Sequence, residues 1–310
     1  MSRTAPGPDG FLVIDKPTGM TSHDVVARAR RALGTRRVGH AGTLDPMASG
    51  LLVLGVGRGT RLLTYVVGAN KEYLATIRFG VATSTEDAEG EVTGRAEIAQ
   101  VNQASLRAAM DTLTGAIMQV PSTVSAIKVQ GKRAYARVRA GEQVVLAARP
   151  VQVDEFTLLR LGEPSAQGSH VDCDVRVACG SGTYVRALAR DLGLQLGTLA
   201  HLTALRRTRV GDFTLDDAHD AHDFTTIQPG DLMPLGVAAA RCLPVQVVST
   251  SDRAHLVHGR SILAQPRTDT GPLAALDESG ALIAVVEQRD ETARQLHPSV
   301  VFVDAGLVSQ

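Results

Sequence analysis

The sequence predicts an α+β protein in two parts: a large N-terminal portion of strands and amphipathic helices, and a small C-terminal portion of strands alone. Three observations carry this. Apolar residues recur with period two in some stretches, such as Lys71–Phe79, and with helical period in others, such as Ser22–Leu33. A chain of 310 residues is long for a single core, which favours a division. Charge also separates with position. Residues 1–209 carry 26 basic and 18 acidic side chains, and residues 210–310 carry 6 and 14, so a net charge of zero conceals a basic part and an acidic one. A polyanion would meet the first part.

Taken in order, Phe11–Ile14 reads as a short strand after a Pro- and Gly-rich start. A helix then runs from Ser22, its expected N-cap, to about Leu33. Val25, Val26, Ala29 and Leu33 form its apolar stripe, Arg28, Arg30 and Arg31 face solvent, and Gly34 ends it. The continuous apolar run Leu51–Val56 reads as a buried strand, and Thr60–Val67 as a short helix stopped by Gly68. In Lys71–Phe79 the alternation puts Tyr73, Ala75, Ile77 and Phe79 on one face. Ser105–Leu113 is an amphipathic helix. Val151–Leu159 and Val171–Ala178 are strands, and Cys173 shares the inward face of the second. The turn Gly180–Thr183 opens a helix, Tyr184–Leu196, and His201–Arg209 is a further strand. Beyond Gly211 a short acidic helix is expected at Leu215–Asp220. The first domain would close at 236, with a linker at 237–243 and an all-β domain at 244–310 whose strands lie at Val245–Val248, Gly259–Ala264, Leu282–Glu287 and Val300–Asp304.

The most site-like stretch is Val38–Arg61. A loop with His40, Gly42, Asp45, Pro46 and Gly50 feeds the Leu51–Val56 strand. Asp45 is the only acid between Asp24 and Glu72, and basic residues surround it in sequence. Neighbouring positive charge favours the carboxylate form, which suits a nucleophile or general base. Taken alone, Asp45–Pro46 is also an ordinary turn opener. Arg186 lies in the first turn of its helix, where the helix dipole disfavours a cation unless an acid faces it; Asp45 is the candidate acid, and a solvated arginine on an exposed face is the alternative. In residues 120–149, Lys128, Lys132, Arg133, Arg137, Arg139 and Arg149 oppose only Glu142, which reads as a basic excursion suited to RNA phosphates or as a solvated loop.

Cys173, Cys179 and Cys242 are odd in number and form no C-x-x-C pair, which argues against a disulfide framework or a structural zinc site and fits a reducing, cytoplasmic setting. The nine histidines show no metal-ligand spacing. No apolar run is long enough to span a bilayer, and no signal-peptide core is seen. A nucleotide-binding loop at Gly55–Gly59 lacks both the phosphate-loop lysine and a complete dinucleotide fingerprint.

Six motifs stand in order along the chain: G-F-L-V-I-D-K-P-T-G-M-T-S (Gly10–Ser22), G-H-A-G-T-L-D-P-M-A-S-G (Gly39–Gly50), K-E-Y (Lys71–Tyr73), Q-V-P-S-T-V-S-A-I-K (Gln119–Lys128), G-T-Y-V-R (Gly182–Arg186) and H-L-T-A-L-R-R (His201–Arg207). Together they resemble the TruB-type tRNA pseudouridine synthases. The resemblance implies a mixed or antiparallel central sheet flanked by helices, with a small C-terminal PUA-like domain. It implies isomerisation of uridine 55 in the tRNA T-loop to pseudouridine, without metal or organic cofactor, by a monomer that needs no protein partner. It implies Asp45 as the catalytic carboxylate, Arg186 as its partner and Tyr73 as the residue stacking on the target base. His40 would fill the space that the extruded base vacates, and Tyr184 and Leu205 would line the pocket. Lys16, Arg36, Arg37, Arg61 and the thumb-like insertion with Lys128, Lys132 and Arg133 would grip phosphates. The chain departs from the family at Val124, commonly Tyr, and at Thr83-Ser84-Thr85, commonly T-D-T. Two other readings share the fold: a non-catalytic tRNA-binding or tRNA-folding module, and an RNA-guided, dyskerin-type synthase. The co-occurrence of Asp45, Tyr73 and Arg186 disfavours the first, and the basic insertion favours a stand-alone enzyme over the second.

Overall fold

The computed structural model describes residues 7–122, 146–221, 223–266, 270–289 and 294–303, together with the backbone of 128–129 and 132–133. In chain order the first part contains strands β1 (Gly10–Lys16), β2 (Val38–His40), β3 (Ser49–Val56), β4 (Lys71–Phe79), β5 (Val81–Thr83), β6 (Val92–Arg95) and β7 (Gly115–Gln119). The hairpin strands β8 (Lys128–Val129) and β9 (Lys132–Arg133) follow, then β10 (Arg149–Leu161), β11 (Val171–Cys179), β12 (Ala200–Val210), β13 (Phe213–Thr214) and β14 (His219–Asp220). Its helices are α1 (Ser22–Ala32), α2 (Leu63–Val67), α3 (Gln103–Thr112) and α4 (Val185–Gln195). Eight strands form the main path β14-β1-β3-β12-β4-β11-β10-β7, with β2 added on β3 and β13 on β12. The sheet is mixed: β1 with β14 and β12 with β3 are parallel, and the other pairs in it are antiparallel.

The two kinds of apolar pattern in the sequence correspond to two environments in this sheet. β1 and β3 read as unbroken apolar runs because both faces are covered. Leu12, Ile14, Leu52 and Leu54 pack beneath α1, α3 and α4, while Phe11, Val13, Leu51 and Val53 join a second core on the other side. β4 and β11 alternate because only one face is covered. Tyr73, Ala75, Ile77 and Phe79 point to the helices with Cys173, Val175 and Val177, and Arg78, Thr76, Asp172 and Asp174 face outward. Helix α1 is capped by Thr21, whose side chain accepts from Asp24 N while Asp24 bonds back, a capping box. Ser22, the cap expected from sequence, is buried instead and bonds Leu44 through both its acceptor and its donor. The acidic helix expected at Leu215–Asp220 is a single 3₁₀ turn, Leu215–Asp217, followed by β14.

Residues 237–243, expected as a linker, lie largely in helix α5 (Leu235–Ala240). This helix packs: Ala238, Ala239 and Leu243 are buried with Phe11, Val13, Leu51 and Phe213. Gly236 lies so close to Gly280 that a Cβ would stand 1.9 Å from its carbonyl oxygen. The C-terminal part contains β15 (Val245–Val247), helix α6 (Thr250–Val257), β16 (Ile262–Leu263), β17 (Leu273–Leu276), β18 (Leu282–Gln288) and β19 (Gln295–Val301), in the order β15-β17-β18-β19-β16. The C-terminal part is a small β domain, as expected, with two elements that the sequence pattern did not give: helix α6, which Ser249 caps through Asp252 N, and β17, a strand of four residues. Leu256 on α6 packs on Ile283, Val286 and Leu296 to form a third core. The opposite face of the same small sheet, through Ala274, Leu276, Leu282 and Val285, belongs to the core beneath β1 and β3. The C-terminal part is thus packed on the main sheet rather than tethered to it. Among the described residues no helix is long and apolar enough to cross a membrane.

Candidate active site

One cross-strand row sets the floor of the site. Lys16 on β1 pairs with Gly50 on β3, Gly50 with Arg207 on β12, Arg207 with Tyr73 on β4, and Tyr73 with Val177 on β11. The β3–β12 step is close: a Cβ on Gly50, which has φ +100°, would lie 2.2 Å from the Arg207 carbonyl oxygen. Only glycine fits a positive φ against backbone at that distance. The 41–48 loop arches over this row and is fastened from below. Arg207 is 1% exposed and donates from Nε to Leu51 O at 2.8 Å and from Nη2 to Gly42 O at 3.1 Å. Lys16, fully buried, donates to Pro17 O, Met20 O and Pro46 O at 2.8, 2.7 and 3.4 Å. Gly19 N donates to Pro46 O, and Ser22 holds Leu44. With its neighbours fastened on both sides, Asp45 is presented to helix α4.

There the Asp45 carboxylate meets Arg186: Nε stands 3.0 Å from Oδ2, the arginine side chain 4% exposed and the aspartate 37%. Arg186 is shared. Its Nη1 lies 3.4 Å from Asp87 Oδ2 and donates to Thr85 O at 2.9 Å and to Ser122 Oγ at 3.2 Å. The arginine in the first turn of a helix therefore faces two acids, which resolves its mismatch with the helix dipole. Burial pushes the Asp45 carboxyl above the ordinary range, Arg186 pulls it back, and Asp87 pushes it up again; the net direction is upward. Sequence alone counted the basic neighbours and missed burial and Asp87. A raised carboxyl lies nearer the working range of a general base. Tyr73 is also driven upward, first by burial and against the pull of Arg207. Lys71 and Lys16 are each brought down to about 8, foremost by burial.

A cleft of about 700 Å³ opens over this arrangement. Asp45, Tyr73, Tyr184, Arg186 and Leu205 all line it, so five of the residues singled out from the sequence converge. His40 does not line it. It is half-buried behind the loop, in edge-on contact with His23, which does line the cleft. Burial lowers the His40 pKa. Lys16 is beneath the loop, not on a surface that phosphate could reach. Its short reach to three carbonyls explains why: it tethers the backbone. Arg61 is also redirected, donating from Nη1 to Val301 O of the C-terminal part at 3.0 Å. Arg36 and Arg37 are exposed. The side chains of Lys128, Lys132 and Arg133 lie outside the described residues, as does Val124. Arg207, Lys71, Asp87 and Gln119 were missed. The signal for the first two was present, since the period that turns Leu205 and Tyr73 inward turns Arg207 and Lys71 inward as well. Among the described residues no three His, Cys, Asp or Glu side chains gather as a metal-ligand set.

Comparison with known proteins gives this arrangement its context. Residues 30–185 match the TruB family pseudouridylate synthase N-terminal domain, and residues 186–229 match the tRNA pseudouridylate synthase B C-terminal domain. The chain belongs to the TruB family of pseudouridylate synthases. It is 54% identical over 293 residues to tRNA pseudouridine synthase B of Leifsonia xyli subsp. xyli, covering 93% of this chain and 95% of that one. With tRNA pseudouridine synthase B of Thermobifida fusca it shares 50% over 299 residues, 95% of this chain and 98% of the other. Among solved structures, a chain of a Cbf5-Nop10-Gar1 complex superposes with a TM-score of 0.73 at 24% identity, covering 97% of this chain and 87% of that chain. That likeness supports the fold; the TruB family assignment rests on the sequence matches.

Proposed function

We propose that this TruB family enzyme converts uridine 55 in the T-loop of tRNA to pseudouridine, acting alone, as a cytoplasmic monomer and without a guide RNA. The observation that carries the reading is the Asp45–Arg186 pair at 3.0 Å inside a cleft walled by Tyr73, Tyr184 and Leu205. Relatives at about half identity over nearly the whole chain carry the name tRNA pseudouridine synthase B, which points to tRNA as the substrate class.

The reaction breaks the bond from C1′ to N1 of uridine, turns the uracil, forms the bond from C1′ to C5, and moves the C5 proton away while N1 gains one. Asp45 serves the sugar side of this exchange as nucleophile or base, with Arg186 holding it in place. Tyr73 provides the surface on which the base stacks, and Tyr184 and Leu205 complete the pocket wall. The target base must leave its stack to enter, at a cost of a few kcal/mol. His40, which reaches the cleft edge through its contact with His23, fills the place that the extruded base vacates. Arg36 and Arg37 and the basic stretch 120–149 contact phosphates, so binding weakens steeply with salt. The test is an unmodified tRNA transcript incubated with purified enzyme alone, followed by carbodiimide-blocked primer extension. A stop at position 55 with the wild type and none with Asp45→Asn is expected. Product formed by Asp45→Asn, or modification only when a guide RNA is added, would overturn the assignment.

A further inference from the structure

Gln119 closes strand β7 and Arg149 opens β10, and the two are opposite partners in the ladder joining these strands. The basic stretch leaves the sheet after one and re-enters it at the other. Both side chains turn to the same place. Gln119 is fully buried: its Nε2 donates to Tyr184 O at 3.1 Å, and its Oε1 accepts from Tyr184 N at 2.9 Å. Both of its hydrogen-bonding ends are thus committed to the backbone of one residue, as a neighbouring strand would be. Arg149 Nη2 donates to Gly182 O at 2.8 Å, and its guanidinium stands 5.1 Å from the centre of the Tyr184 ring. Tyr184 is the N-cap of α4 and makes no capping bond with its own side chain. Two residues later is Arg186, whose Nη1 donates to Ser122 Oγ at 3.2 Å, and one turn further Arg190 Nη2 donates to Val120 O at 2.7 Å. Every one of these contacts joins the start of α4 to the roots of the basic stretch.

We propose that Gln119 and Arg149 are positioning residues that fix Tyr184 at the start of α4, set where Arg186 meets Asp45, and tie that meeting to the roots of the basic stretch. This rests on the reading of Asp45 and Arg186 as the catalytic pair. A buried glutamine is costly unless both ends are satisfied, and here both are satisfied by the one residue that starts the catalytic helix. A small shift of that start carries Arg186 away from Asp45, and misplacement by an ångström can cost about 100-fold in rate. The charged groups around Asp45 are Arg186 from α4, Asp87 and Glu89 from the turn after β5, and Lys16 from β1. Of these, Arg186 is the one that Gln119 and Arg149 control.

The test uses the full chain and an unmodified tRNA transcript. Single-turnover rates with enzyme in excess are measured from pH 5 to 9, and binding at equilibrium, for the wild type, Gln119→Met and Arg149→Lys. Binding is expected to hold within about twofold, because Gln119 cannot touch RNA and Arg149→Lys keeps the charge. The maximal rate should fall by about 10- to 100-fold for Gln119→Met and less for Arg149→Lys. In both, the acid limb of the profile should move to higher pH, since a loosened Arg186 no longer lowers the Asp45 carboxyl. A rate that is unchanged, a loss confined to binding, or a profile lowered evenly with no movement of the limb would overturn the proposal. If Gln119→Met does not fold, Arg149→Lys is judged by the same criteria. A wild type that makes no pseudouridine at any uridine would instead overturn the functional reading beneath it.

Discussion

The main sheet turns Lys16 on β1 and Arg207 on β12 inward, beneath the Asp45 loop, and turns Arg78 on β4, Arg160 on β10 and Arg176 on β11 outward. Inward, Lys16 and Arg207 are buried and donate to backbone carbonyls of the Asp45 loop or the strand beside it. Outward, Arg78–Asp172, Arg160–Asp174 and Arg176–Glu155 form ion pairs of 2.8 to 3.0 Å whose side chains are each about a third or more exposed. The distances are alike and the consequences are not. Removing a buried cation leaves acceptors with nothing to bond, whereas an exposed pair exchanges readily for water. The same chemistry is architecture on one face of the sheet and surface on the other.

Asp45→Asn should show the largest effect, lowering single-turnover pseudouridine formation by on the order of 1,000-fold or more while tRNA binding stays close to wild type. Ending the chain at 236 tests the covered half of the sheet. It would strip Ala238, Ala239 and Leu243 and the C-terminal strands from Phe11, Val13, Leu51 and Val53, so the fragment should be insoluble or lack a cooperative thermal transition. A fragment that melts like the full chain would show that the second core is dispensable. Arg207→Met should cost about 3 kcal/mol in chemical denaturation, through carbonyls left unsatisfied. Arg176→Ala on the outer face should change stability by less than about 0.5 kcal/mol; equal losses for the two would erase the contrast.

The buried lysines add a smaller, pH-dependent effect. Lys16 and Lys71 have folded values of about 8 against an ordinary 10.5. Between those values the unfolded chain holds more protons than the folded one, so their share of stability rises as pH rises across that window. Comparing denaturation midpoints at pH 8 and pH 10 for the wild type and a Lys16→Met, Lys71→Met double variant should show the wild type gaining relative to the variant. The acid side follows Asp45. Its carboxyl is raised, and in the proposed mechanism it acts ionised, so activity should begin to fall at a pH above the ordinary carboxylate range as acid is added.

The sheet and its helices were legible because burial leaves a pattern in sequence: Lys71–Phe79 was read at both ends, and Leu51–Val56 as a buried strand. Asp45 and Arg186 could be paired before any coordinates, since an arginine in the first turn of a helix asks for an acid. What sequence hid was direction and distance. Lys16, a cation beside a site loop, read as a phosphate contact, yet the row it shares with Gly50 and Arg207 turns it beneath the loop. Asp87 lies 42 positions from Asp45, and the two meet at Arg186. The Ala-rich 237–243 stretch looked like a spacer because small residues give little amphipathic signal, yet Ala238 and Ala239 are fully buried in the second core.

The contact between Gly50 and the Arg207 carbonyl carries a consequence for how this chain can vary. The loop from Gly42 to Gly50 is pinned at both ends, by a guanidinium at Gly42 and by the neighbouring strand at Gly50, so its contour is as constrained as its composition. A residue added or deleted there would have to be absorbed by Asp45 itself. In an insertion-scanning library this loop should appear as a gap, with tolerated insertions resuming in exposed segments such as Gly162–Gly168, where the chain can bulge without moving anything that matters to Arg186.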